Sequence, residues 1–193
     1  MNIDFVYPDS VEQTDEWLYE LCTSNKQLRI ERDELGQIIV MSPTGGTSSN
    51  QLFKVLIYFM EWAAAHEHEG FGFESSAGFL LPNGAMRAPD AAWVSKERWD
   101  KLTDKQKEKF PPLVPDFVIE VRSHSDSLKA LKQKMTEWIS NGCQLAWLID
   151  PLEKKAYTYD MHGHTEEITS FDSDLVATTV VPGLTIPLKK LKV

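Results

Sequence analysis

Cysteine is scarce in this chain: Cys22 and Cys143 are the only two among 193 residues. Two thiols cannot build a disulfide framework, nor a zinc site by themselves, so both read as reduced and partly buried, as in a cytosolic protein. Long hydrophobic runs are lacking too. No stretch approaches the roughly 20 apolar residues that a membrane helix needs, and residues 1–7 lack the basic-then-apolar order of a signal peptide. The expected location is the cytoplasm, with no membrane partner. Positive charge is in deficit, 20 Lys and Arg against 29 Asp and Glu, a formal net charge of −9. That argues against a general nucleic-acid coating protein, which would be basic. It leaves room for an enzyme that offsets phosphate charge with a local basic patch or a metal. Repeats, low-complexity tracts and linker-like segments are also missing, which points to one domain over residues 1–193.

What is present can fill a core, since 42% of the residues are hydrophobic and 25% charged. Thr14 is a candidate N-cap for a helix to Ser24, with Trp17, Leu18, Leu21 and Cys22 on one face. Residues 27–32 and 37–41 flank Asp33-Glu34-Leu35-Gly36, a hairpin signal in which Gly36 can take a positive φ. A long helical pattern covers 50–68, with Ser48 or Ser49 as cap and Gly70 as stop; it is apolar over more than half its circumference, as in helices packed on two sides. Strands are expected at 71–75, 79–81 and, after the Pro82-Asn83-Gly84 turn, 86–94. The charged stretch 96–109 reads as a solvated surface with one or two short helices. A strand at 117–121, a helix at 127–141 and a strand at 145–149 make a parallel crossover. Antiparallel strands follow around Tyr157 and Tyr159, 167–170 and 175–181. The fold class is therefore α/β, a mixed sheet flanked by helices with added antiparallel hairpins.

Two carboxylates carry the chemistry. Asp90 follows Pro89 ahead of Ala91-Ala92-Trp93-Val94, and Glu120 ends the apolar run Phe117-Val118-Ile119. A charge in such surroundings is costly unless paired or bound to a metal. Two such groups brought together would offer hard oxygens to a divalent cation such as Mg²⁺, which points to metal-assisted phosphodiester chemistry. Read singly, Asp90 is also explained as a turn carboxylate and Glu120 as half of a buried salt bridge.

The pair Pro89-Asp90 with Glu120-Val121-Arg122 resembles the signature of the PD-(D/E)XK nuclease superfamily. A wider set of segments is similar to the large bacterial family of putative restriction endonucleases, formerly a domain of unknown function. Those segments are 39–46, 78–84, 89–94, 115–123, Gln133-Lys134-Met135 and Trp147-Leu148-Ile149-Asp150-Pro151, in that order. The resemblance implies a restriction-endonuclease-like core and a Mg²⁺- or Mn²⁺-dependent endonuclease acting on DNA, with Asp90 and Glu120 as metal ligands. It also implies that the catalytic lysine sits on the helix, at Lys134, while Arg122 occupies the ordinary lysine position. By periodicity alone Lys134 lies at the edge of an apolar stripe and is open to a snorkelling reading. Arg122 is open to phosphate contact or a structural pair. Glu31 or Glu74 is a candidate extra carboxylate, and Ser48, Asn50 and His124 lie near expected site positions; His66 and His68 are rejected as a zinc pair. Cutting both strands of a duplex needs two sites, so a homodimer is an option, and the apolar C-terminal strands could serve it or the core. The alternative is a weak or inactive member that binds protein or nucleic acid; a third class is a hydrolase of small phosphorylated molecules.

Overall fold

The computed structural model describes residues 12–192 and the backbone of residues 2–5. Of the segment read for a leader, positions 1, 6 and 7 lie outside the described residues. The chain runs β1 (Asn2–Phe5), α1 (Asp15–Ser24), β2 (Arg29–Arg32), β3 (Ile38–Met41), α2 (Gly46–Ala65), β4 (Gly70–Glu74), β5 (Phe79–Leu80), β6 (Met86–Arg87) and β7 (Ala91–Ser95). It continues through α3 (Lys96–Trp99), α4 (Asp104–Glu108), β8 (Phe117–Val121), α5 (Leu128–Ser140), β9 (Leu145–Asp150), β10 (Lys155–Asp160), β11 (Thr165–Ile168), β12 (Asp174–Val176) and β13 (Thr185–Pro187), ending in a 3₁₀ turn at Leu188–Leu191.

A six-stranded sheet in the order β11-β10-β9-β8-β7-β4 forms the centre. Its β8 and β9 are parallel neighbours joined through α5, and the other pairings are antiparallel, so the sheet is mixed. Its strands β8 and β9 are buried at every position, which is what near-continuous apolar runs with helices on both faces require. Side chains alternate between two cores. Phe117, Ile119, Trp147 and Ile149 pack with Val55, Phe59 and Trp62 of α2 and with the C-terminal Leu184, Ile186, Leu188 and Leu191. Val118, Ala146 and Leu148 pack with Met135 and Trp138 of α5. Of the residues expected in the C-terminal strands, Leu175, Ala177 and Val181 are in this core, while Val176 is exposed. A second, antiparallel sheet, β1-β3-β2-β6-β5, closes over Leu18 of α1 through Ile30, Ile38, Val40 and Met86. Among the described residues, no helix is long and apolar enough to cross a membrane.

Four expectations need correction. The strand expected over 86–94 is two strands in different sheets, β6 and β7, with Ala88-Pro89-Asp90 between them. Pro89 has no N–H to continue a ladder, and the break frees Asp90 from sheet pairing. The long helix begins at Gly46 behind the cap residue Gly45 and ends at Ala65, so Ser48 and Ser49 lie inside it. Gly70 is not its stop but the first residue of β4, where a Cβ would meet Val94 O at 2.4 Å and the Trp93 ring at 2.7 Å. The strand expected over 175–181 stops at Val176 as β12, and Val180 beyond it takes a positive φ of 59; its partner β13 was not foreseen, because three residues carry too short an alternation to register. Elsewhere the local signals hold: Thr14 caps α1 through the Trp17 N–H, Ser127 caps α5 through the Ala130 N–H, and Gly36 sits at φ +82.

Candidate active site

Antiparallel pairing of β7 with β8 sets Ala91 opposite Ile119. Asp90, one residue outside that register, therefore reaches the carboxyl end of β8, where its Oδ2 accepts the Val121 N–H at 2.8 Å. Glu120, on the α5 side of the sheet, points at that helix. Its Oε1 lies 2.8 Å from Lys134 Nζ and accepts the Trp138 indole N–H at 3.2 Å. Lys134 and Trp138 stand one turn apart on α5, so one helix face supplies both contacts. The third carboxylate is Glu31, from the other sheet. Strand alternation turns Ile30 into the small core and Arg29 and Glu31 the other way. Glu31 Oε1 takes Lys134 Nζ at 2.8 Å and the Ala88 N–H at 3.1 Å, while its Oε2 pairs with Arg87 at 3.1 Å. Arg87 reaches on to Glu137 at 2.7 Å. Arg29 donates to Asp90 Oδ1 at 3.3 Å and to the Ala88 carbonyl at 2.7 Å.

These groups are buried, and the balance between burial and neighbouring charge sets their protonation. Desolvation pushes the Glu120 carboxyl up to about 7; the Lys134 charge opposes this, and the Asp90 and Glu31 charges add to it. Asp90 is raised for the same first reason, against Arg29 and the Val121 N–H. Glu31 ends below the ordinary carboxylate range: burial works against its charge, but Lys134 and Arg87 together outweigh it. Lys134 loses to burial and gains more from Glu120 and Glu31, so its amine stays protonated above the usual lysine range. The snorkelling reading of Lys134 does not hold, because its head points inward and the side chain is 12% exposed.

Asp90, Glu120 and Lys134 share the floor of a cleft of about 280 Å³, with Arg29, Ser42, Pro43, Thr44, Ser48, Ser123 and Asp126 around it. A divalent cation fits this donor set. Two buried carboxylates whose charge is under-compensated supply hard oxygens, and Mg²⁺ is commonly held by one or two carboxylates with waters and substrate oxygens completing its shell. Among the described residues no group of three or more His, Cys, Asp or Glu is placed to hold a metal ion, so Asp90 and Glu120 would be the protein's main ligands.

Other candidates lie elsewhere. Arg122 pairs with Asp150 at 2.7 Å and Glu153 at 3.4 Å, and its Nε donates to the Asp126 carbonyl at 3.3 Å. Its fork is committed to β9 and the turn after it rather than to the carboxylate cluster. Asp150 is 0% exposed, so Arg122→Met should leave a buried charge short of its partner and lower the unfolding free energy by about 3 kcal/mol, measured by urea denaturation. Glu74 turns back onto Ser75 and Ser76 at the sheet edge. His124 and Asn50 are exposed, and His66 hydrogen-bonds Trp62 O. Both cysteines are free, and burial pushes Cys22 up to about 11 and Cys143 to about 12, so neither is a reactive thiolate.

Sequence reading missed Arg29, Arg87 and Glu137, and saw Trp138 only as an apolar stripe residue. The spacing Arg29-Ile30-Glu31 on a strand puts both charges on one face, and that signal was available. Nothing in the sequence connects Arg87 with Glu137.

A family model described as "Uma2: Putative restriction endonuclease" matches residues 15–189. No curated protein matches the chain. Among solved structures, the crystal structure of a putative nuclease belonging to DUF820 from Anabaena variabilis ATCC 29413 superposes with a TM-score of 0.68 at 20% identity, covering 84% of this chain and 90% of that one. At that identity the likeness shows the fold.

Proposed function

The chain belongs to the Uma2 family of putative restriction endonucleases, and from that premise we propose that it is a Mg²⁺- or Mn²⁺-dependent endonuclease hydrolysing phosphodiester bonds of DNA. The observation that carries the reading is the convergence of Asp90, Glu120 and the protonated Lys134 amine in one cleft. Asp90 and Glu120 would hold the cation, which when bound supplies a Lewis acid for water and phosphate.

Lys134 acts as a fixed positive charge. Held protonated between Glu31 and Glu120, it cannot serve as a general base near neutral pH. It can stabilise the negative charge that builds on the non-bridging oxygens as water attacks phosphorus and the bond to the leaving sugar oxygen breaks. Glu31 and Trp138 hold that geometry: Glu31 anchors the amine from the other side, and the indole N–H fixes Glu120 Oε1. Because Glu31 and Glu120 come from different sheets, we take the two sheets as one functional domain.

Plasmid and oligonucleotide cleavage with Mg²⁺, Mn²⁺ or chelator tests the reading. Metal-dependent cutting by the wild type and its loss in Asp90→Ala and Glu120→Ala are expected; equal cleavage by all three proteins would overturn it. The binding-module alternative draws on the second groove beside the site, where Glu31, Asp33, Glu34, Asp126 and Glu137 outnumber Arg87 and Lys134. Absence of metal binding at millimolar concentration would favour it.

A further inference from the structure

We propose that Arg29 is a built-in counter-cation for Asp90, competing with a divalent ion for Asp90 Oδ1 and so setting the metal affinity of the site; the inference rests on the metal-site reading above. Three cationic side chains surround the carboxylates, and they are held unequally. Lys134 is committed between Glu31 and Glu120 at 2.8 Å from each. Arg87 is committed between Glu31 at 3.1 Å and Glu137 at 2.7 Å. Arg29 meets its carboxylate only through Nη1, at 3.3 Å, long for a charge-assisted bond, whose usual length is about 2.7–2.9 Å.

Asp90 is asymmetric in the same sense. Its Oδ2 is fixed by the Val121 N–H, leaving Oδ1 to the looser Arg29 contact. Arg29 also carries the single side-chain nitrogen or oxygen, among the described residues, that is buried with no hydrogen-bond partner, its Nε. A structural ion pair normally satisfies its buried donors, and an orphan calls for a reason. Here the reason is a resting arrangement: the guanidinium stands against Asp90 because its charge is needed while no cation is present.

There is room for it to leave. Arg29 lines both the catalytic cleft and a neighbouring groove of about 500 Å³ between α1 and the β5–β6 hairpin, bordered by Tyr19, Lys26, Gln27, Met86 and Phe110. That groove contains no acidic side chain among its lining residues, so a displaced guanidinium would face solvent there rather than a second carboxylate. The Ala88 carbonyl, at 2.7 Å from Nη2, tethers it near the site.

Calorimetric titration of Mn²⁺ into the intact wild type, Arg29→Met and Arg29→Lys, without DNA, tests the proposal. Removing a positive charge a few ångströms from the ligand oxygen should tighten Mn²⁺ binding about tenfold or more in Arg29→Met, whereas Arg29→Lys stays near the wild type. In the wild type, the Arg29 Nε–H NMR resonance should move on Mg²⁺ titration while that of Arg98, paired with Asp116, stays in place. If the wild type binds Mn²⁺ and Arg29→Met binds no tighter, the Arg29 inference fails and the metal site stands. Binding by neither protein sinks both. If Arg29→Met does not fold, the resonance decides, and an unmoved signal at metal saturation overturns the proposal.

Discussion

Glu120→Gln should abolish metal-dependent cleavage, by about a thousandfold or more, and at the same time make the metal-free protein more stable above neutral pH. The loss follows from removing a charged oxygen ligand, since charge neutralisation at such a centre is worth several kcal/mol. The stability gain follows from burial. In the folded protein the Glu120 carboxyl titrates at about 7, against an ordinary 4.5. A raised carboxyl favours the folded state while it carries its proton, below about pH 4.5. That contribution disappears as pH rises through the folded value near 7. Glutamine has no proton to lose, so the two proteins should match in stability at pH 4.5 and diverge between pH 4.5 and 7. The gap should level off above pH 7 at about 3 kcal/mol, from 2.5 units at about 1.36 kcal/mol each. Urea denaturation in chelator from pH 4.5 to 8.5 measures it; a pH-independent difference would show that Glu120 is not held protonated by its surroundings. Added Mg²⁺ should then stabilise the wild type and leave Glu120→Gln unmoved.

Lys134→Met should do the opposite to stability. Its amine is the shared partner of Glu31 and Glu120, both nearly inaccessible to water. Without it, each carboxylate keeps its burial and loses its nearest positive charge. The expected cost is about 3–5 kcal/mol near neutral pH, the usual result of taking one member from a buried ion cluster. Cleavage should fall about a hundredfold to a thousandfold, as when one preorganised donor is removed from a charge-stabilising site. The double variant Lys134→Met/Glu120→Gln separates the two roles. Stability should recover in part, because Glu120 no longer carries a charge while Glu31 keeps Arg87, whereas activity should stay lost. If Lys134→Met unfolds no more easily than the wild type, the bridge is not a structural element of the site. Full cleavage by the same variant would remove Lys134 from the chemistry.

Residue order alone carries the α/β class, the parallel crossover through β8, α5 and β9, most helix and strand positions, and the candidacy of Asp90 and Glu120. All of these are local: 3.6-residue and two-residue periodicities, Thr14 and Ser127 at helix starts, and Gly36 in a turn can each be read over a few positions. Whether a charged residue faces a cleft or a structural partner is not local. Asp90 and Asp116 both follow proline within similar apolar contexts. Yet Asp116 is bound by Arg98, Gln144 and the Ser95 N–H, whereas Asp90 keeps only the Val121 N–H and a long contact to Arg29. Their tertiary neighbours separated them: those of Asp116 come from β7, α3 and the turn before β9, those of Asp90 from β8 and from β2 of the second sheet. Packing of the second sheet and α5 against the first brought Lys134 to Glu31, Arg87 to Glu137 and Arg29 to Asp90, residues dozens of positions from their partners, whereas Arg122 meets Asp150 through the parallel pairing of β8 with β9. Such choices are made by burial. An inaccessible charge takes whichever opposite charge the fold brings within about 3 Å, and the fold assembles those neighbours from segments that share no local pattern.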